Sequence, residues 1–315
     1  MRLVFFGTGA FALPTLQALF ASRHKIQAIV TQPDKTGRGH HSHVNPIKVE
    51  AEQRTRPLLQ PENVNEPGVL KQLREHRAEI FVTAAYGQLL KKELLEIPPH
   101  GAINLHASIL PKYRGAAPIH AAVAAGETET GITIFRIVPK LDAGPVLALE
   151  KTPIGPTETT GELHDRLAEL AAPMTIRLLD SLEQGGVAET KQDDLLSSYA
   201  PQLRKEQGEI DWTKLAAQIV NHVRAMQPWP GSFSTLHIGD RPPLRVSILA
   251  VEPTEEPADG EATPGTILQT EGELVVQSTG GPLRIAKLKP AGKREMSGAE
   301  FRRGYTLPAG SRFGV

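Results

Sequence analysis

Short apolar runs alternate with helical patterns through the first half of the chain, and nothing else in the sequence restricts its fold as tightly. Leu3 to Phe6 reads as a strand, followed by a helical face made by Leu13, Leu16, Leu19 and Phe20. Ile26 to Val30, Pro57 to Leu59 and Ile80 to Thr83 read as further buried strands. Ala102 to Leu105, Ile132 to Val138 and Val146 to Leu149 continue the series. Helical stretches at Val69 to Glu75, Ala116 to Ala125 and Glu162 to Leu182 fall between most of them. Strands alternating with helices form βαβ units, so the expected fold class is α/β, a Rossmann-like, mainly parallel sheet with helices on both faces. Ligands of such sheets sit outside the carboxyl ends of the strands, which directs attention to the strand-end loops.

The pattern changes after Leu182. Residues 184–200 are polar with a Gly pair and read as an extended linker. Leu215, Ile219, Val220 and Val223 then mark a helix that ends at Pro228-Trp229-Pro230. Five short strands with turn signals follow, at Ser232 to Ile238, Leu244 to Val251, Gly265 to Gln269, Glu273 to Gln277 and Leu283 to Lys287. They predict a small antiparallel, OB-like β-barrel. The expected organisation is therefore a catalytic domain over 1–183, a linker over 184–206 and a β-barrel domain over 207–315. A length of 315 residues suits two domains. Cysteine is absent, which excludes disulfides, thiolate zinc sites, iron–sulfur clusters and a cysteine nucleophile. The opening apolar run stops at Gly7, too short for a signal peptide, and no later run approaches a membrane span. A cytoplasmic protein without a membrane partner is the expectation. With 35 Lys+Arg against 35 Asp+Glu the net charge is zero, so any nucleic acid would be held by a local patch.

Two strand-end features compete for the chemistry. Gly7-Thr8-Gly9-Ala10-Phe11-Ala12 fits the G-x-G-x-x-A outline of a dinucleotide site, with Asp34 further on. Against an NAD-binding oxidoreductase, the end of the second strand carries Thr31-Gln32-Pro33 where the ribose-binding acid belongs, and Pro14 enters the first turn of the helix. The glycines then serve only a tight strand-to-helix turn. The denser cluster is Asn104-Leu105-His106-Ala107-Ser108-Ile109-Leu110-Pro111-Lys112-Tyr113-Arg114-Gly115. Asn104 and His106, two apart at a strand end, project from one face. An amide donor beside an imidazole can polarise a carbonyl, stabilise an oxyanion and handle protons near neutral pH. Asp142, on the Pro139–Pro145 loop, can orient the ring, raise its pKa and receive a proton if it lies beside His106. The alternative is structural: a turn-capping Asn104, a satisfied half-buried His106 and a turn acid at Asp142.

Asn-Leu-His-x-Ser-x-Leu-Pro followed by Arg114-Gly115-Ala116-Ala117-Pro118-Ile119 resembles the signature of the 10-formyltetrahydrofolate-dependent formyltransferases. The resemblance extends over nearly the whole chain. It takes in Phe6-Gly7-Thr8, Thr31-Gln32-Pro33-Asp34 with Gly37-Arg38-Gly39, Ala85-Tyr86-Gly87, Glu129-Thr130-Gly131-Ile132-Thr133 and Leu141-Asp142-Ala143-Gly144. In the second domain it takes in Ile210-Asp211-Trp212, Pro228-Trp229-Pro230 and Pro290-Ala291-Gly292-Lys293. The resemblance implies Asn104, His106 and Asp142 as catalytic residues, with 10-formyltetrahydrofolate as co-substrate held around Ser108, Ile109, Leu110 and Pro111. No metal and no covalent intermediate is implied. The Gln-Pro-Asp loop with Gly-Arg-Gly favours the branch whose acceptor is the α-amino group of methionyl-initiator tRNA; a monomer is a separate expectation. A formyltransferase for another amine, such as an amino sugar nucleotide, is the alternative.

The chain departs from that pattern in places. Arg38 keeps the Gly-Arg-Gly match and is the residue expected to contact tRNA, but His40, His41 and His43 stand where lysines are usual, and Pro145 replaces a common acid. Three histidines so close also raise a metal site, which a glycine-flanked loop is poorly suited to build. In the second domain, seven acids and no base lie between Glu252 and Glu273. Seven bases against two acids lie between Arg284 and Arg303. Lys287, Lys289 and Lys293 are therefore expected to form a phosphate-binding edge, the alternative being a solvated face of mixed charge. Trp229 reads as an aromatic anchor packing helix against barrel, with base stacking as its other use.

Overall fold

The computed structural model describes residues 1–34, 45–254, 262–268 and 272–314. Arg38, His40, His41 and His43 lie outside the described residues. Contacts divide the chain into two compact units. The first holds Met1–Pro118, Glu129–Pro153 and Leu163–Pro201; the second holds Ile119–Thr128, Ile154–Glu162 and Gln202–Val315.

The first unit is built on a seven-stranded sheet of β1 (Arg2–Gly7), β2 (Lys25–Val30), β3 (Leu58–Leu59), β4 (Ile80–Ala84), β5 (Ala102–His106), β7 (Glu129–Arg136) and β8 (Val146–Pro153). Their spatial order is β3-β2-β1-β4-β5-β7-β8. The four pairings from β3 to β5 are parallel; β5–β7 and β7–β8 are antiparallel. The mainly parallel expectation holds, with an antiparallel edge. The helices that follow these strands are α1 (Leu13–Ala21), α2 (Pro46–Gln53), α3 (Pro67–Glu75), α4 (Lys92–Leu95), α5 (Pro118–Ala124) and α6 (Thr160–Glu183); α5 beyond Pro118 and the start of α6 are counted with the second unit. Val4 and Phe6 pack with Leu70 and Leu73 of α3 and Leu94 of α4. Leu3 and Phe5, of the opposite parity, are equally buried, so both faces of β1 are covered. That double burial is why the strand reads as a continuous apolar run. A two-residue strand, β6 (Arg114–Gly115), pairs in parallel with β9 (Tyr199–Ala200).

The second unit centres on α7 (Ala216–Ala225), whose Ile219 and Val223 enter a core with Val246, Ile248, Ile285, Leu288 and Phe301. Its sheet runs β12 (Val275–Ser278), β13 (Gly281–Pro290), β11 (Leu244–Pro253), β10 (Ser232–His237) and β15 (Arg312–Phe313). β14 (Met296–Ser297), followed by α8 (Gly298–Gly304), pairs with β13. The expected strand at 265–269 makes only isolated bridges, Ile267 to Val276 and Thr266 to Arg312. Those two bridges join the first and last strands of the sheet and nearly close the barrel, so the segment is a closing stave rather than a regular strand. Among the described residues no helix is long and apolar enough to cross a membrane.

Candidate active site

β5 carries the central residues to the end of the sheet. Its register sets Asn104 between Thr83 and Phe135 and places His106 opposite Thr133. Alternation puts Asn104 and His106 on one face, as the spacing predicts. His106 is only 5% exposed, more buried than a half-exposed structural histidine. Its Nε2 lies 2.8 Å from the Tyr113 carbonyl. A carbonyl only accepts, so the ring donates from Nε2 and leaves Nδ1 facing Asp142 Oδ2 at 3.7 Å. That separation is too long for a direct hydrogen bond. Asn104 is half-buried within β5 and caps no turn. Among the described residues its carboxamide has no hydrogen-bond partner.

Asp142 reaches the site through strained backbone. It has a φ of 47°, and Tyr113, across the site, has 60°. Left-handed conformations are costly for residues with a Cβ and concentrate where function holds them. The Asp142 carboxylate accepts a hydrogen bond from the Gly115 N–H at 2.8 Å, a bond that spans 27 residues and is no local turn. Burial is the largest influence on His106 and lowers its pKa; the Asp142 charge and the Tyr113 carbonyl push upward but do not prevail. Asp142 thus acts on the ring in the direction expected of it, but desolvation outweighs its charge and favours the neutral imidazole.

Behind the two loops runs the segment 190–200, read from sequence as a linker. Gln192 is buried and donates from Nε2 to the carbonyls of Asp142 (2.8 Å) and Gly144 (2.7 Å). Its Oε1 accepts from Arg114 Nε at 3.2 Å and Nη2 at 2.8 Å. Arg114 also pairs with Asp194 at 2.8 Å, and Asp194 with Lys140 at 2.5 Å. Ser198 Oγ accepts from the Tyr113 N–H at 2.8 Å. Gln192, Asp194 and Ser198 had no sequence signal, because their partners lie up to 85 residues away and the segment is as polar as a linker.

In the loop after β5, Ser108 Oγ donates to the Lys112 carbonyl at 2.7 Å, and Thr133 Oγ1 donates to the Ser108 carbonyl at 2.6 Å. The Leu110 N–H donates to Thr133 Oγ1 at 3.1 Å, and the Leu110–Pro111 peptide is cis. Several backbone groups of Ser108–Pro111 are therefore engaged within the protein. Ile109 and Pro111 remain half-buried.

Elsewhere, Trp229 corrects an expectation. It is 47% exposed, and Trp212, at 3%, is the buried anchor, donating from Nε1 to Ser234 Oγ at 3.0 Å. Lys287 and Lys289 are both exposed on β13, with Lys293 in the turn that follows. Lys287 is paired with Glu295 at 2.7 Å, Arg284 with Glu252 and Glu273, and Arg294 with Glu300. At Arg284 the acidic segment meets the basic one, while Lys287 and Arg294 pair with the basic segment's own two acids; among the described residues Lys289 and Lys293 form no ion pair. His24, Asp180 and Glu183 bring metal-ligand types together, but the Arg23 guanidinium already spans both carboxylates at 2.7 and 2.8 Å and supplies the positive charge.

A family model described as formyl transferase matches residues 1–179, and one described as formyl transferase, C-terminal domain, matches residues 202–306. The chain belongs to the formyl transferase family. Methionyl-tRNA formyltransferases of Geotalea daltonii and Moorella thermoacetica are each 41% identical over 316 residues. These alignments cover all of this chain and 98% and 99% of the relatives. An N-formyltransferase from Helicobacter canadensis, solved with folinic acid and dTDP-3-aminofucose, shares the fold at 17% identity and a TM-score of 0.65, over 90% of this chain and 98% of its own. In this formyl transferase the dinucleotide outline has another use. Thr8 Oγ1 donates to the Tyr86 carbonyl at 3.1 Å and accepts from the Gln32 N–H at 3.2 Å, while Gln32 Nε2 also bonds the Tyr86 carbonyl at 3.0 Å. A Cβ on Gly7 would meet the Phe5 ring at 2.7 Å. The glycine turn thus ties three strand ends together by close packing, and the oxidoreductase alternative is set aside.

Proposed function

We propose that the protein transfers the formyl group of 10-formyltetrahydrofolate to the α-amino group of methionyl-initiator tRNA. The observation that carries the site assignment is the unpartnered carboxamide of Asn104 on the same strand face as the buried His106–Asp142 pair. In this reading the amine lone pair attacks the formyl carbon, and the Asn104 amide donates to the oxyanion that develops. Neutral His106 and the Asp142 carboxylate face each other with no proton between them, so the pair is poised to accept the amine proton, directly or through water. The imidazolium so formed would place positive charge beside the oxyanion. Collapse returns the proton to N10 as the C–N bond to tetrahydrofolate breaks, so atoms and charge balance. The formyl group is already activated on an aryl nitrogen, so positioning and charge stabilisation suffice without a metal.

The loop Ser108, Ile109, Leu110 and Pro111 would line the folate, with Ile109 and Pro111 offering its half-buried surface. Arg38 and, on the barrel, Lys287, Lys289 and Lys293 would bind tRNA phosphates. The working organisation is a catalytic domain over 1–183, a linker over 184–206 and a tRNA-binding barrel over 207–315, acting as a cytoplasmic monomer. Incubation with 10-formyltetrahydrofolate and charged initiator tRNA should yield formylmethionyl-tRNA. Absence of that product, with formylation of a dTDP-amino sugar instead, would transfer the assignment to the other acceptor class.

A further inference from the structure

The segment behind the active-site loops does more than connect. We infer that Gln192 is a positioning residue for formyl transfer, acting through the backbone of Asp142; the inference rests on the catalytic reading of Asp142 given above. Gln192 uses both of its N–H donors and its carbonyl. Carbonyls only accept and a guanidinium only donates, so its partners fix the orientation of the amide: Nε2 must face Asp142 and Gly144, and Oε1 must face Arg114. The two donated bonds clamp the carbonyls on either side of Ala143, which holds Asp142 in a backbone conformation that a non-glycine residue does not favour.

The other face of the same clamp is equally constrained. The Gly144 backbone lies against the Arg136 carbonyl so closely that a Cβ there would overlap it. Arg114, buried at 6% exposure, is held by Gln192 on one side and Asp194 on the other. Its neighbour Gly115 supplies the N–H that the Asp142 carboxylate accepts. Gln192 therefore joins both loops that position Asp142: the one that carries it and the one that receives its carboxylate. Arg114 N–H and Ala116 N–H also bond the carbonyls of Ser198 and Ala200, at 2.8 and 2.9 Å, so the strap cannot shift without moving the loop. Removing the Gln192 donors should relax the Asp142 backbone and change its distance to His106 while leaving both side chains present.

The test is a double-mutant cycle on the full chain, in the transfer assay with charged initiator tRNA. Gln192→Met should lower kcat by on the order of 10- to 100-fold, with KM for both substrates changed by less than about threefold, because misplacing a catalytic group by up to about 1 Å carries a loss of up to about 10²-fold. The kcat–pH profile should shift along the pH axis, which a purely structural loss would not produce. In an Asp142→Asn background Gln192→Met should cost no more than about twofold, since groups acting as one unit are non-additive. Gln192→Glu is the near-isosteric companion if the methionine variant does not fold. It keeps the acceptor for Arg114, loses both donors and should show the same kcat loss. A normal rate in Asp142→Asn would overturn the catalytic reading and this inference with it. A full loss from Gln192→Met on top of Asp142→Asn, or a wild-type kcat and pH profile in Gln192→Glu, would overturn the positioning role alone.

Discussion

A buried imidazole held neutral beside a carboxylate it does not touch has consequences for both activity and stability. If the pair takes the amine proton, Asp142→Asn and His106→Ala should each reduce kcat by about 10²-fold or more while the far-UV spectrum and the elution volume stay unchanged. Near-normal turnover in either would remove the proton-transfer role. Folding stability has a defined pH sign. His106 and His222 both have pKa values lowered chiefly by burial. The unfolded chain therefore binds protons that the folded chain refuses once pH falls below about 6.5, the ordinary histidine value. Stability should be full above that pH and decline as pH falls toward the lowered folded values. Thermal melts between pH 7.5 and 5.5 test this: Tm should fall on acidification, and His222→Gln should flatten the dependence. The sequence placed Asn104 and His106 on one face because strand parity is a local rule. It named Asp142 as a group that raises the His106 pKa, which it does, but not the larger opposing effect of burial, because burial depends on what packs over the strand and no local pattern reports that.

At the scale of elements, the regular pieces were legible and the irregular ones were not. β1, β2, β4 and β5 announce themselves as apolar runs because both sides of the sheet are covered. β6 and β9 left no trace, since a two-residue pairing between Arg114–Gly115 and Tyr199–Ala200 rests on backbone groups alone. That pairing makes a prediction. Gly115 has a φ of 119°, and a Cβ there would meet the Ala200 carbonyl at 2.6 Å and the Tyr199 ring at 2.7 Å. Gly115→Ala should destabilise the protein by on the order of 1–3 kcal/mol and lower kcat, because the Gly115 N–H is the donor to Asp142. Denaturant titration read alongside turnover checks both effects, and a variant with wild-type midpoint and rate would contradict them. The barrel shows the same division. The stave at 265–268 was legible as an apolar run but not as the piece that bridges β12 and β15, which is a property of closure rather than of local sequence.

Over the whole molecule, a net charge of zero conceals a distribution, and the structure refines which charges are free to act. Lys287 is spoken for by Glu295, whereas Lys289 and Lys293 are not paired among the described residues. Charge reversal at Lys289 and Lys293 should weaken tRNA binding and reduce the salt slope by about 0.7 to 0.9 per lost phosphate contact, with Lys287 contributing less. An unchanged slope in filter-binding or fluorescence titrations would place the tRNA on another surface. The division into units carries a different consequence. The second unit gathers 119–128 and 154–162 out of the first half of the chain, so the polypeptide passes between the units five times. Arg224 donates to the carbonyls of Gly155 and Glu158, and a Cβ on Gly126 would strike the Asn221 amide. During synthesis these two excursions emerge well before the residues that receive them. A ribosome-bound chain would hold them uncovered until the residues after Gln202 have emerged. A chain stopped at Pro201 would retain that exposure permanently.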